Sequence, residues 1–188
     1  EIVVNGMSLS RRDSPFANSG LVTAVDARDF VAFKSFGPLA GMYFQKQVEQ
    51  KMFSLGDGSQ KAPAQRLKDF IGRKLSTDLP ESSYIPGILP ASLHQQLPPE
   101  ICDRLIKGLM QFVDRMPLYG HAEAIVVATE SRTSAPVKIP RDRETLMHPK
   151  CAGLFPAGEG AGFAGGILSA AMDGQRVAQA VHRLVTDS

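Results

Sequence analysis

The sequence has little of what marks disulfide-bonded, metal-binding, nucleic-acid-binding or membrane proteins. Its two cysteines, Cys102 and Cys151, lie far apart without a CxxC spacing, which favours reduced thiols over a disulfide. The four histidines are also dispersed, so no metal site is predicted. A net charge of +2 gives no electrostatic support for a nucleic-acid partner. No apolar run approaches the roughly 20 residues of a membrane span, and no signal peptide is visible. We therefore expect a cytoplasmic protein without a membrane partner.

What is present is ordinary for a globular protein. The 188 residues are enough for one or two domains with a hydrophobic core. Hydrophobic residues make up 43% of the chain and charged residues 21%, as is usual for a soluble fold. Composition alone therefore does not indicate a function, and the evidence has to come from motifs.

The most informative stretch is residues 153–167, with the sequence GLFPAGEGAGFAGGI. Leu154 and Phe155 predict a short buried strand, and the carboxylate of Glu159 follows just past its end. Glycine and alanine then fill a turn. After the turn, small and apolar residues recur every three or four positions and predict a helix: Ile167, Ala171, Gly174, Ala178, Val181 and Val185. The predicted order is strand, glycine-rich turn, helix.

A turn of this kind can hold a ligand close to the backbone, because glycine has no Cβ. The helix start offers unpaired N–H groups and the positive end of the macrodipole, and Glu159 can accept hydrogen bonds from a sugar-type hydroxyl. The alternative is a tight turn whose glycines serve packing only. The number of glycines exceeds what a bare connection needs and favours the ligand interpretation: Gly158, Gly160, Gly162, Gly165 and Gly166.

This stretch resembles the C-terminal flavin motif of two-dinucleotide-type flavoproteins. In those proteins a strand-end acid, Asp where this chain has Glu159, contacts the ribityl chain of FAD, and the next helix points its N-terminus at the flavin ring. The stretch and two others, residues 5–20 and 132–142, are similar to the family of uncharacterised FAD-dependent dehydrogenases. The resemblance implies an FAD-dependent oxidoreductase with these cofactor-binding residues: Gly158, Glu159, Gly160, Ala161, Gly162, Ala164, Gly165, Gly166 and Ile167.

One element of that family is missing from the sequence. No Gly-x-Gly-x-x-Gly stands between a strand and a helix near the N-terminus, where the fingerprint would hold the FAD pyrophosphate. We therefore expect a piece of a larger flavoprotein, whose N-terminal dinucleotide-binding domain is a partner of this chain. FAD is expected in the intact protein and is not expected to be retained by this chain alone. The alternative is a complete protein with a coincidental motif.

The predicted architecture is α+β. Residues 1–35 are expected to be strand-rich, with strands near 2–4 and 21–25. Residues 36–117 are expected to form a mostly helical inserted cap or substrate domain, with helices over 38–55, 63–74 and 98–116 and a proline-rich connector over 75–100. Residues 118–188 are expected to supply a strand at 124–128 and the C-terminal helix, completing the FAD-binding domain.

Three arginines are candidates for contact with a small-molecule substrate. Arg11 and Arg12 lie in a polar loop, and the alternative for them is ordinary surface charge. Arg132 is flanked by hydroxyl side chains, and the alternative for it is a structural ion pair with Glu130 or Asp142. His94 is interpreted as a surface histidine.

A second hypothesis, a non-catalytic protein- or RNA-interaction module, has only the basic loop in its favour. No catalytic residue is predicted.

Overall fold

The computed structural model describes residues 3–4 and 11–186, and within them five helices and one three-stranded sheet give the expected mixture of α and β structure. The helices are α1 (Ala40–Leu55), α2 (Leu67–Ile71), α3 (Leu93–Gln96), α4 (Pro99–Arg115) and α5 (Ile167–Thr186). The strands are β1 (Ala62–Arg66), β2 (Ile88–Pro90) and β3 (Ile125–Val127). Two 3-10 segments, Val31–Leu39 and Pro117–Gly120, precede α1 and follow α4.

The sheet has the order β2-β1-β3. β1 runs parallel to β2, with Ala62 opposite Ile88, and antiparallel to β3, with Ala64 opposite Val127. The helix predicted over 63–74 is therefore wrong in its first half, and only α2 is helical there. Both edges of β1 are hydrogen-bonded to neighbouring strands, and this pairing outweighs the weak helical pattern of a five-residue segment.

The hydrophobic core lies between this sheet and α1 to α4. Its most deeply buried side chains are between 0% and 1% exposed: Met52, Phe70, Leu93, Cys102 and Leu109. α4 forms as predicted, and its buried residues are Ile101, Cys102, Ile106 and Leu109. β3 was expected to belong to the C-terminal segment. It pairs instead with β1, which lies in the segment expected to form the cap.

The proline-rich connector contains β2 and α3 and carries His94 into the interior. His94 is 8% exposed, and its Nδ1 lies 2.8 Å from Nε2 of the buried Gln65. The surface interpretation of this histidine is wrong, because α3 places it against β1.

Much of the expected N-terminal strand pair falls outside the described residues, which omit 1–2 and 5–10. Val4 donates its backbone N–H to the Thr129 carbonyl at 2.9 Å. The strand predicted near 21–25 is not formed: these residues belong to no sheet, and Val22 and Val25 are 57% and 47% exposed. Apolar character alone does not make a strand where no neighbouring strand offers hydrogen bonds.

The strand predicted at Leu154 and Phe155 is absent for the same reason. The Leu154 backbone is engaged in a local turn, accepting from the His148 N–H at 2.8 Å and donating to the Cys151 carbonyl at 3.2 Å.

α5 then forms as predicted, but its buried residues are Asp173, Val177 and Ala180. The stripe read from the sequence lies on a different side, and its end members Ile167 and Val185 are 88% and 72% exposed. No described helix is long and apolar enough to cross a membrane.

Candidate functional site

The glycine-rich turn before α5 is anchored by a buried ion pair. The Asp173 carboxylate accepts hydrogen bonds from two guanidinium nitrogens of Arg141 and from the Gly158 N–H, each at 2.9 Å. Arg141 also donates to the Pro156 carbonyl at 2.9 Å, and the two charged side chains are only 10% and 8% exposed. Hydrogen bonding from Arg141 lowers the pKa of Asp173, against the opposing effect of burial. The pair therefore remains ionised and ties the beginning of the turn to α5.

The turn is also closed by its own backbone. Phe163 donates its N–H to the Gly158 carbonyl at 3.0 Å, and Gly162 donates to the Glu159 carbonyl at 2.8 Å. The guanidinium carbon of Arg141 lies 3.6 Å from the centre of the Phe163 ring, within cation–π range. Glu159 is therefore presented from a defined turn.

The glycines of the turn have different roles. Gly158 and Gly162 have φ values of 69° and 83°, which side chains disfavour. A Cβ on Gly162 would also lie 2.8 Å from the Val137 carbonyl oxygen, so this glycine is required for packing. Gly160 and Gly165, in contrast, have nothing within 4 Å of an added Cβ. Packing therefore does not account for Gly160 and Gly165, which leave open space beside the backbone.

The N-terminus of α5 is accessible. The helix begins at Ile167, the first residue of the predicted stripe. Its first hydrogen bond runs from the Ala170 N–H to the Gly166 carbonyl at 2.9 Å, and the Ser169 hydroxyl accepts from Gly165 at 3.3 Å. The first turn contains no acidic side chain. The remaining amides of that turn carry the positive end of the helix dipole and can meet an electron-rich ligand atom.

A cavity of about 420 Å³ brings together three of the predicted site residues: Arg132, Glu159 and Gly165. Its other walls come from the chain before α1 and from the segment after β3: Gly20, Val22, Glu130 and Thr133. The Glu159 carboxylate is half-buried and accepts no hydrogen bond from any described residue. It is therefore available to a ligand hydroxyl, as the motif requires.

Arg132 is positioned in this cavity by a buried carboxylate on α1. Glu49 is 2% exposed on its side chain and accepts from Arg132 Nε at 3.0 Å and from Nη2 at 2.6 Å. The Ser131 hydroxyl donates to the same carboxylate at 2.6 Å. Burial by itself would raise the pKa of Glu49, but the hydrogen bonds from Arg132 and Ser131 outweigh it and the pKa is lowered. The Arg132 side chain remains 56% exposed.

The ion pair considered for Arg132 thus exists, but with a partner that was not considered. Within the part of the chain that the structure describes, Glu130 accepts from the Arg132 backbone N–H at 3.4 Å and not from its guanidinium. Glu49 was missed because it is one charged position in a helix that otherwise shows an amphipathic pattern. Asp173 was missed in the same way, although an acid between apolar positions of a helix is a usable signal for a buried partner.

The other predicted residues do not line this cavity. Ala161 is buried and accepts from the Ile139 N–H at 3.1 Å, so it supports the turn. Arg11 and Arg12 are exposed and do not line the cavity. Among the described residues no three histidine, cysteine or acidic side chains gather as metal ligands.

Two comparisons with known proteins bear on the family of this chain. A family model described as "FAD-dependent protein, C-terminal domain-like" matches residues 1–133. An uncharacterized protein of Clostridium beijerinckii (strain ATCC 51743 / NCIMB 8052) is 43% identical over 180 residues. The match covers 95% of this chain and 33% of that protein, so the chain spans about a third of the length of its relative.

Proposed function

The chain belongs to the family of FAD-dependent proteins whose C-terminal domain-like region it matches, and from this premise we propose that it supplies part of the flavin site of an FAD-dependent oxidoreductase. The proposed activity is that of a dehydrogenase acting on a small-molecule substrate. When bound, FAD supplies the hydride or electron-pair chemistry. The residues of this chain bind and orient the cofactor and the substrate, and they neutralise negative charge.

The observation that carries the proposal is the cavity shared by Arg132, Glu159 and Gly165 beside the N-terminus of α5. The groups around this cavity each fit one part of the cofactor. An unpartnered carboxylate suits the hydroxyls of the ribityl chain, and the open side of Gly165 admits a group close to the backbone. The amides at the start of α5 suit the electron-rich pyrimidine edge of a flavin.

Each residue has a defined role in this proposal. Glu159 accepts hydrogen bonds from hydroxyl groups of the cofactor. The first turn of α5 stabilises negative charge, an effect of up to about 2 kcal/mol at a favourable helix terminus. Arg132, held by Glu49, presents a positive charge that can bind a substrate carboxylate or a flavin carbonyl. Arg11 and Arg12 have no place in this mechanism, because they lie outside the cavity.

We further propose that a dinucleotide-binding domain in the remaining length of the protein completes the site. The chain matches only 33% of its relative, which leaves ample sequence for such a domain. The apolar stripe of α5 supports this, because Ile167 and Val185 are largely exposed in the described structure. An amphipathic helix normally covers such a stripe with a neighbouring element. FAD binding is accordingly expected for the intact protein and not for this chain alone.

The test is a flavin titration of the intact protein carrying Glu159→Ala. Loss of charge-assisted hydrogen bonds worth about 1.5–3 kcal/mol is expected to weaken FAD binding by tenfold or more. The visible absorption spectrum of the purified protein and the dissociation constant of FAD are the measurements. Glu81→Ala serves as a matched control, because Glu81 is an exposed carboxylate outside the cavity.

FAD affinity that stays unchanged in Glu159→Ala would contradict the site assignment. Absence of flavin from the intact wild-type protein, even with FAD added, would contradict the proposed function as a whole. That second result would favour the alternative of a non-catalytic interaction module.

A further inference from the structure

A second cavity lies between residues 141–146 and the polar face of α5. Its volume is about 430 Å³, and none of its lining residues lines the first cavity. Besides Arg141, three arginines contribute to its walls: Arg143, Arg176 and Arg183. The last two lie seven positions apart on α5, so their backbones are separated by about 10 Å, with Gln179 between them.

The negative groups of the cavity are fewer than its positive groups, and one of them is already engaged. The Asp142 carboxylate accepts from the N–H groups of Glu144 and Thr145 at 3.0 Å and 2.8 Å and from the Thr145 hydroxyl at 3.0 Å. These bonds lower the pKa of Asp142 and commit this carboxylate to its own turn. Glu144 is the other lining carboxylate.

Positive charge exceeds negative charge in the lining, because four arginines stand against the two carboxylates of Asp142 and Glu144. Arg141 also lines the cavity, but its guanidinium is committed to Asp173. Arg143, Arg176 and Arg183 form no salt bridge with any of the residues described. Three like charges around one space repel one another, and a bound anion would remove that repulsion.

The chemistry of arginine indicates the kind of anion. The guanidinium group is planar, always charged and matched to phosphate oxygens in bidentate geometry. The three guanidinium groups outnumber the two lining carboxylates, Asp142 and Glu144, and the spacing along α5 suits a ligand that reaches across two helical turns. We propose that this cavity binds the phosphoryl groups of a phosphorylated small molecule, at a site separate from the flavin cavity.

The test is calorimetric titration of the full chain with inorganic pyrophosphate and, separately, with ADP. Pyrophosphate is expected to bind, with an affinity that falls as salt increases. The double variant Arg176→Ala/Arg183→Ala is expected to bind it at least tenfold more weakly, since charged hydrogen bonds of about 1.5–3 kcal/mol are lost. Equal affinity for ADP and pyrophosphate would mean that only the phosphoryl groups are recognised. Tighter binding of ADP would identify the ligand as a nucleotide.

The matched control is Lys107→Ala/Arg115→Ala, which removes two exposed cations from α4. Circular dichroism of all variants reports whether they fold. Pyrophosphate affinity that is equal in both double variants, or no binding by the wild-type chain, overturns the proposal. Loss of the flavin spectrum from the intact protein carrying the α5 double variant also overturns it, because the cavity would then belong to the FAD site. The proposal does not depend on the flavin assignment, since pyrophosphate binding is measured without FAD.

Discussion

The sheet with α1 to α4 and the C-terminal helix with its glycine-rich turn are stabilised in different ways. The first region has a continuous apolar core in which Phe70 and Leu93 are completely buried. The second region buries only three positions of a 20-residue helix, and one of the three is the charged Asp173. Its main attachment is the hydrogen-bonded pair of Asp173 and Arg141.

This difference separates a scaffold from a binding element. A close-packed core opens only at high free energy, because many dispersion contacts stabilise it together. A helix held by one ion pair and a few small side chains can open locally at lower free energy. Glu159 and Gly165, which we propose to bind the cofactor, lie in the second region, whereas Glu49 extends from the first region to hold Arg132.

The largest effect is expected from truncation within the core. Phe70→Ala removes a ring that is 0% exposed and should lower the free energy of unfolding by about 3–5 kcal/mol. Urea denaturation followed by circular dichroism measures it. Ile85→Ala, at a position that is 98% exposed, should change the value by less than about 0.5 kcal/mol. Similar losses in the two variants would contradict the assignment of the core.

A smaller and more local effect is expected from Asp173→Asn. The variant leaves the Arg141 guanidinium, 10% exposed, without its counter-charge, a change that costs roughly 3 kcal/mol in buried pairs. Amide hydrogen exchange should become faster in α5 and remain slow in β1. Asp114→Asn, on the exposed face of α4, is the control. Equal acceleration in both regions would mean that α5 and the core unfold as one unit.

A modest pH dependence is expected from the core region. Burial, and secondarily the charge of Arg73, lowers the pKa of His94, so the folded state binds its proton less readily than the unfolded state. The stability is therefore fully present above the unfolded pKa near 6.5 and decreases as the pH falls below it. Denaturation at pH values on either side of that point measures the slope. The slope should flatten in His94→Gln, and an unchanged slope would assign it to other groups.

The smallest effect on the chain itself is expected from the exposed stripe of α5. Val185→Ser, at a position that is 72% exposed, should change the unfolding free energy by less than about 0.5 kcal/mol. It should nevertheless weaken binding to the separately expressed domain that we propose as its partner, measured by calorimetry. Ala180→Ser, at a position that is 5% exposed, is the opposite case and should destabilise the chain. Domain binding that is unaffected by Val185→Ser would contradict the proposed covering of this stripe.

Sequence reasoning succeeded where a long periodic pattern existed. α4 and α5 were both predicted, and the assignment to FAD-dependent proteins is confirmed. It failed at β1, whose sequence APAQR has no alternating or β-branched pattern and becomes a strand through its two neighbours. It failed in the opposite direction at Leu154, where an apolar pair predicted a strand but no neighbouring strand is present among the described residues.

The sequence alone determined the glycine-rich turn and its acid, because a short motif depends on residues that are adjacent in the chain. It also determined that α5 is a helix with an apolar stripe, because a stripe depends only on helical periodicity. Only the tertiary structure decided that Arg132 and Glu159 share a cavity, that Glu49 holds Arg132 and that the stripe is exposed. Those facts depend on tertiary contacts between segments that are distant in the sequence, and a local sequence pattern carries no information about such contacts.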